Sequence, residues 1–409
     1  ELKEFPKEQG QIPSSAEFLR HGALEKPIYQ AAFSTIEPSL CFNKLKKIET
    51  KPCQLRPNKE FDPRGYRLDR LGNIPQAIPR DIVENSGCAF LDECSSVISA
   101  SKADISNLKA VYTFEEAVVG IDGEAYVNSI KRGTSPGFPY INSKETKTRK
   151  KFFGDKEDYD LNTEQAQQLK IRVNEIIEAA KCNEVLDHYF VDTLKDERKP
   201  IHKAHKTRLF AAGPLDYLVV CKMYFNGVVA LLQKSRNWSH VSVGTNPYAE
   251  DWGEIARILL RKSKLMVAGD FEGFDASQHQ VLLEAAGEVF IQLSKRHLQA
   301  TEEDERVMRV LLVSLFNSFH ITGKEVYQWT HSLPSGHYLT APINSVFVNI
   351  VFSCIWQIAF GDESYLTARS FWNECGIVAY GDDHIISIPA NRIEIFNQIS
   401  IPQYFKQIG

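Results

Sequence analysis

Between Tyr338 and Phe360 the chain carries no formal charge. A stretch of that length has to be buried, in a bilayer or in a protein core, and the choice decides what the rest of the chain is built around. Ser345, Asn349, Ser353 and Gln357 recur every fourth residue within it, which lines them along one side of a helix. Pro342 suits the first turn of that helix. We read the segment as a buried helix with one polar seam and expect no transmembrane segment.

At 409 residues the chain exceeds one ordinary core and should divide into two or three lobes. Its 43% hydrophobic and 24% charged content are those of a soluble globular protein. A net charge of -4 argues against a histone-like or tail-like nucleic-acid binder. It leaves room for RNA in a locally basic channel. Cys41, Cys53, Cys88, Cys94, Cys182, Cys221, Cys354 and Cys375 form no Cys-x-x-Cys pair and no zinc-spaced cluster. They read as reduced, cytosolic and mostly buried. The opening Glu1-Leu2-Lys3-Glu4 has no signal-peptide pattern.

Residues 1 to about 110 are rich in proline and short polar connectors, as in Asp62-Pro63-Arg64-Gly65, and predict an extended, irregular region draped on a larger body. Helical patterns follow at Thr113 to Val119, Thr163 to Ala180, Leu215 to Leu232 and Gln278 to Leu298. Leu265 to Ala268 reads as a short strand. Gly376-Ile377-Val378-Ala379 and His384 to Ile388 read as two strands flanking Tyr380-Gly381-Asp382-Asp383, with the glycine where the chain reverses. This order predicts an α+β core with an antiparallel sheet.

Four constellations carry chemistry. The two adjacent acids of the hairpin, Asp382 and Asp383, fit a divalent-cation site, since carboxylate oxygens suit Mg²⁺; taken alone, they fit an acidic solvated turn equally well. Asp270 ends the strand before Phe271-Glu272-Gly273-Phe274-Asp275, and beside the hairpin its carboxylate would complete a two-metal site. In isolation it reads as a helix N-cap. Ser335-Gly336 precedes Thr340 and Asn344, which share a helix face; with Asp275 they could read a sugar hydroxyl, or simply cap the helix. Lys195, Arg198, Lys206 and Arg208 lie in a basic loop or hairpin suited to phosphate. A smaller basic run, Lys144 to Lys151, followed by Phe152 and Phe153, reads either as solvated surface or as a nucleic-acid contact. Thr134-Ser135-Pro136-Gly137-Phe138-Pro139-Tyr140 forms a stiff loop whose aromatics could lie against a base or sugar.

Taken in order, these segments resemble the RNA-dependent RNA polymerases of picornavirus-like positive-strand RNA viruses. Asp270 and Asp275 look like motif A, Ser335 to Asn344 like motif B, and Tyr380 to Asp383 like motif C. Lys195 to Arg208 looks like motif F and Thr134 to Tyr140 like motif G. Glu37-Pro38-Ser39-Leu40, Val243-Gly244-Thr245-Asn246 and Asp251-Trp252 are most similar to dicistrovirus or iflavirus polymerases.

The resemblance implies a right-hand fold, with fingers over 1–227, including an extended N-terminal index-like region, and a palm over 228–409 with a fingers insertion at about 313–333. It implies catalysis and metal binding at Asp270, Asp382 and Asp383, with two Mg²⁺ ions for which Mn²⁺ can substitute. Asp275, Ser335, Gly336, Thr340 and Asn344 would bind the ribose and nucleotide. Lys195, Arg198, Lys206 and Arg208 would bind the triphosphate, and Thr134, Ser135, Pro136 and Gly137 the template. Template and primer RNA, NTPs, a protein primer and other viral replication proteins are the implied partners, in host cytoplasm at replication complexes. The motif D lysine, motif E and the helical thumb are expected beyond Gly409; Lys406 lies too early for that lysine. Two competing readings are a thumbless RNA-binding fragment without turnover and a reverse transcriptase. Asp275 with Asn344 argues against the latter, because DNA synthesis calls for a bulky group that blocks the 2′-hydroxyl.

Overall fold

The uncharged segment is a helix, Thr340–Phe360, and its polar seam is wholly buried: Ser345, Asn349, Ser353 and Gln357 are each 0% exposed. In this computed structural model, which describes residues 19–28 (strand backbone only), 49–101, 103–142 and 147–409, the seam is what ties distant segments together. Asn349 Nδ2 donates to the His240 carbonyl at 3.1 Å, and Gln357 Nε2 donates to Ile82 O at 3.0 Å and Ser86 Oγ at 2.6 Å. Ser353 Oγ reaches Ala368 O at 3.5 Å. A buried polar group without a partner is destabilising, so each seam residue fixes which segment must pack there.

The helices around it are α1 (Pro63–Leu71), α2 (Arg80–Ala100), α3 (Phe114–Val119), α4 (Lys150–Phe153), α5 (Glu164–Lys181) and α6 (Leu215–Lys234). There follow α7 (Asp251–Lys262), α8 (Gln280–Leu298), α9 (Glu302–Phe316), the central α10 (Thr340–Phe360), α11 (Tyr365–Glu374) and α12 (Ile401–Phe405). Local chemistry explains their ends. Thr163 Oγ1 accepts from the Ala166 amide at 3.1 Å and starts α5, and a reciprocal Thr113–Glu116 capping box starts α3. The predicted stripe of α5, from Leu169 to Ala180, is buried.

Among the described residues there are three sheets. One has four strands in the order β1 (Leu19–Ile28), β7 (Phe319–Gln328), β3 (Tyr189–Leu194), β5 (Leu209–Ala212), with β3 and β7 parallel and the other pairs antiparallel. A short ladder joins β2 (Thr50–Pro52) to β4 (Arg198–Pro200). The third is the antiparallel sheet expected from the sequence, in the order β6 (Met266–Gly269), β9 (Asp383–Ser387), β8 (Gly376–Tyr380).

The sequence misjudged the N-terminal quarter. Residues 80–100 form a long helix against α8 and α10, not an irregular segment. Its buried face mixes Ile82, Val83, Phe90 and Leu91 with Ser86, Gly87 and Ala89, so small residues blur the 3.6-residue period. Helix α9 was also missed, although its Thr301–Asp304 capping box was readable. Among the described cysteines all are unpaired; Cys88 and Cys182 are exposed and the others buried. By length and composition α6 and α10 could each cross a membrane, but 94% and 78% of their apolar windows lie buried inside the protein. Glu37 to Leu40, Cys41 and Lys144 lie outside the described residues.

Candidate active site

The β6–β9 register pairs Gly269 with His384, so the next step along β6 sets Asp270 opposite Asp383. On the other side Tyr380 pairs with Asp383, leaving Gly381 and Asp382 as the turn. Gly381 has φ of 64°, a left-handed conformation that L side chains rarely adopt. The sheet therefore presents Asp270, Asp382 and Asp383 at one end.

The charges of these acids act on one another. Burial pushes the Asp382 carboxyl above its ordinary value; its own amide opposes this, and the charges of Asp383, Asp270 and Asp275 push it further up. Asp382 is half-buried, whereas Asp270 and Asp383 are exposed. Below the tip, the ring of His384 lies between Phe271 and Phe352, with centroids 5.1 and 4.8 Å away, and its Nδ1 bonds the Asp382 carbonyl at 2.9 Å.

Asp275 and Ser335 line one small cavity with Leu209 and Ala211. The Ser335 carbonyl accepts from the Ala211 amide at 2.7 Å, and Ser332 Oγ donates to the Asp275 carbonyl. Gly336 has φ of 109°, and a Cβ there would run into the Phe210 ring, so this turn requires glycine. Thr340 Oγ1 donates to Pro334 O at 2.8 Å. Asn344 Oδ1 accepts from Gln278 Nε2 at 2.7 Å; among the described residues no hydrogen bond joins Asn344 to Asp275. Gln278, 1% exposed, is thus a site residue that the sequence reading missed.

Lys195 to Arg208 is the connection between antiparallel β3 and β5, closed by Lys195 N to Arg208 O at 2.9 Å. At its centre stands Glu197, also missed. Arg208 forks onto it, with Lys195 and Lys199 Nζ at 3.7 and 3.6 Å. Burial acts to raise the Glu197 carboxyl, but Arg208, Lys199 and Lys195 outweigh it and hold it low. The charge of Asp275 also reaches Arg208. The other two predicted cations are engaged elsewhere. Arg198 Nη2 donates to the Thr50 carbonyl at 2.7 Å, and Lys206 Nζ lies 5.7 Å from the Tyr66 ring centroid.

Thr134 and Ser135 are exposed, while Pro136 and Gly137 are buried, with Pro136 O accepting from the Leu215 amide at 2.8 Å. The aromatics of this loop pack on protein, Phe138 against Tyr189 and Tyr140 against Phe152. Phe152 and Phe153 are buried and cannot stack on a base. The loop borders a cleft of about 530 Å³ that also holds Arg149, Lys222 and Gly336. Arg149 Nε donates to Ser135 O at 3.0 Å, and Lys222 Nζ to Asn128 O at 2.8 Å. Burial, then the charge of Arg149, brings the Lys222 ammonium down to about 8. Neither cation has a carboxylate partner among the described residues. Arg149 belongs to the basic run Lys144 to Lys151, no motif flagged Lys222, and the fold alone makes the two neighbours.

Comparisons with known proteins bear on the family and the fold. Residues 92–407 match the family model for viral RNA-dependent RNA polymerase. The replicase polyprotein of Acute bee paralysis virus (strain Rothamsted) is 32% identical over 433 residues, covering 99% of this chain and 22% of the polyprotein. That of Cricket paralysis virus is 32% identical, covering 98% of this chain and 23% of the polyprotein; that of Drosophila C virus (strain EB) is 33% identical, covering 93% and 22%. The chain thus spans less than a quarter of the length of these relatives. A solved Sicinivirus 3Dpol RNA-dependent RNA polymerase superposes with a TM-score of 0.73 at 19% identity, covering 96% of this chain and 75% of that one. This likeness speaks to the right-hand fold.

Proposed function

The chain belongs to the viral RNA-dependent RNA polymerase family, and we propose that it carries the centre for template-directed nucleotidyl transfer. In that reaction an RNA 3′-hydroxyl attacks the α-phosphate of an NTP in line and pyrophosphate leaves, in the service of genome replication. The observation that carries the reading is the gathering of Asp270, Asp382 and Asp383 at one sheet end, with the Asp382 carboxyl raised by burial and then by its acidic neighbours.

These residues fit divalent metal. They are oxygen donors under mutual repulsion, and none has an ion-pair partner among the described residues. No three His, Cys, Asp or Glu groups there could hold a metal alone; Mg²⁺ sites of this kind draw further ligands from water and substrate phosphates. Asp270 and Asp382, with Asp383, would hold two Mg²⁺ ions or Mn²⁺ in their place. Bound there, the ions supply charge stabilisation for the attacking and leaving oxygens.

Asp275, with Asn344 held by Gln278 and with Ser335, Gly336 and Thr340 around them, would recognise the ribose. Lys195 and Arg208 would meet the triphosphate by exchanging Glu197 for phosphate oxygens, and Arg198 and Lys206 serve the same connection from its outer side. Template RNA would run over Thr134 to Gly137, its backbone phosphates meeting Arg149 and Lys222. Fingers over 1–227 and palm over 228–409 suit this arrangement, since β7 from the 313–333 insertion pairs with β3 of the sheet that carries the basic connection. Host cytoplasm, a protein primer and viral replication proteins complete the proposed setting.

The reading is tested by labelled-nucleotide incorporation on an RNA template. NTPs should be strongly preferred to dNTPs, and Asn344→Ala should shrink that preference about tenfold, as expected for losing one hydrogen bond to a hydroxyl. A wild-type preference for dNTPs would overturn it. A second outcome concerns the cleft. Lys222→Ala should weaken RNA binding and lower the slope of log affinity against log salt by about one. Because Lys222 loses its proton near pH 8, RNA affinity should also fall between about pH 7 and pH 9. Lys222→Arg should flatten that profile, read by fluorescence anisotropy.

A further inference from the structure

The tip of the acidic hairpin is anchored to the central helix by a single buried hydroxyl. The Gly381 amide donates to Ser345 Oγ at 2.8 Å, and Ser345 Oγ donates onward to the Ala341 carbonyl at 2.8 Å. A hydroxyl offers one donor and two acceptor sites, so the two bonds use it from opposite ends. Ser345 is 0% exposed, which denies the Gly381 amide a water in its place. The other seam residues do something different. Asn349 is coupled to both partners, donating to the Ser345 carbonyl and to the His240 carbonyl that also accepts from the Ala379 amide of β8, whereas Ser353 and Gln357 bond Ala368 and the α2 segment, away from the hairpin.

The position of this bond matters because Asp382 and Asp383 follow Gly381 directly. A peptide plane fixed at Gly381, in its left-handed conformation, sets the direction in which the next two residues leave. Ser345 also follows Asn344, whose amide is held by Gln278. One helical turn therefore carries both the group proposed to read the ribose and the group that holds the carboxylates.

We propose that Ser345 is the positioning residue of the carboxylate tip. Its hydroxyl holds the Gly381 peptide so that Asp382 and Asp383 stand opposite Asp270, and it couples that tip to the turn of α10 bearing Asn344. Ser345 touches neither substrate nor metal and acts through the Gly381 peptide alone. This rests on the reading of the tip as a divalent-cation site.

The test compares Ser345→Ala, Ser345→Thr and Gln357→Ala in the full chain. Mn²⁺ affinity is read by electron paramagnetic resonance, and Gly381 amide exchange by NMR. Groups that orient metal ligands from behind typically change metal affinity by about ten- to a hundredfold when removed. Ser345→Ala should weaken Mn²⁺ binding by about tenfold or more and accelerate Gly381 exchange, and Ser345→Thr should restore both. Gln357→Ala, which breaks seam bonds to Ile82 and Ser86 away from the hairpin, should lower the melting temperature and leave both readouts in place. Unchanged Mn²⁺ affinity in Ser345→Ala would overturn the proposal, as would an equal loss in Gln357→Ala. A wild-type chain that takes up no Mn²⁺ would instead overturn the metal reading on which it rests.

Discussion

Asp382→Ala is expected to abolish RNA-templated nucleotide incorporation while leaving the protein at least as stable as the wild type. The two halves share one cause. Asp382 is half-buried among Asp383, Asp270 and Asp275, and without a cation those charges repel. A carboxyl whose folded value lies above its unfolded one adds stability only while protonated, below the unfolded value. That contribution is lost as pH rises through the raised folded value. Above that folded value the ionised group therefore strains the fold, and removing it relieves the strain. Activity moves the other way. A metal-stabilised transition state draws several kcal/mol from its ligands, and about 4 kcal/mol corresponds to roughly a thousandfold in rate. Two measurements check this: labelled NTP incorporation by the intact polymerase bearing these residues, and thermal unfolding at pH 7 with and without Mg²⁺. Mg²⁺ should raise the melting temperature of the wild type, because it binds only the folded state, and should have a much smaller effect on the variant. Activity within tenfold of wild type in Asp382→Ala would remove Asp382 from the centre.

What could be read in advance divides along sequence separation. The hairpin was legible because its turn chemistry and both its strands lie within a dozen or so residues, and Asp270 because its strand is adjacent in sequence. The seam of α10 was legible as a period, since Ser345, Asn349, Ser353 and Gln357 depend only on helix geometry. What each seam residue would bond was not legible, because Ile82 and His240 are far away in the chain. The same holds for the pairing of Arg149 with Lys222, which a cleft between four segments brings together. Glu197 was overlooked for another reason. A lone acid in a basic stretch looks like noise until the β3–β5 connection folds the cations around it. For Arg198 the resemblance gave a place among the phosphate-binding cations, and what was not legible is its hydrogen bond to the Thr50 carbonyl across the β2–β4 ladder.

The sheet that carries the basic connection has its own buried keystone, and Asp192→Ala should produce the largest loss of stability of any single change considered. Asp192 on β3 and His320 on β7 both have side chains at 0% exposure. Asp192 Oδ1 meets His320 Nδ1 at 2.8 Å, Asp192 Oδ2 accepts from Thr322 Oγ1 at 2.7 Å, and His320 Nε2 meets Ser318 Oγ at 2.9 Å. Trp329 stacks on the imidazole with ring centroids 3.5 Å apart. Ser, His and Asp in this order invite comparison with a hydrolytic triad, yet no substrate can reach a group sealed from solvent. The arrangement instead locks a parallel strand pair whose register covers only Tyr189–Val191 against Phe319–Ile321. Removing the carboxylate strands the His320 and Thr322 donors in a dry interior, at a cost of about 3–5 kcal/mol. Chemical denaturation should show that loss, and Asn in place of Ala should recover part of it, since an amide oxygen still accepts one bond. The effect should also reach function. With β3 loosened, the Lys195–Arg208 connection loses its fixed base, so KM for NTP should rise more than kcat falls. A variant as stable as wild type would show that the network is incidental to the sheet.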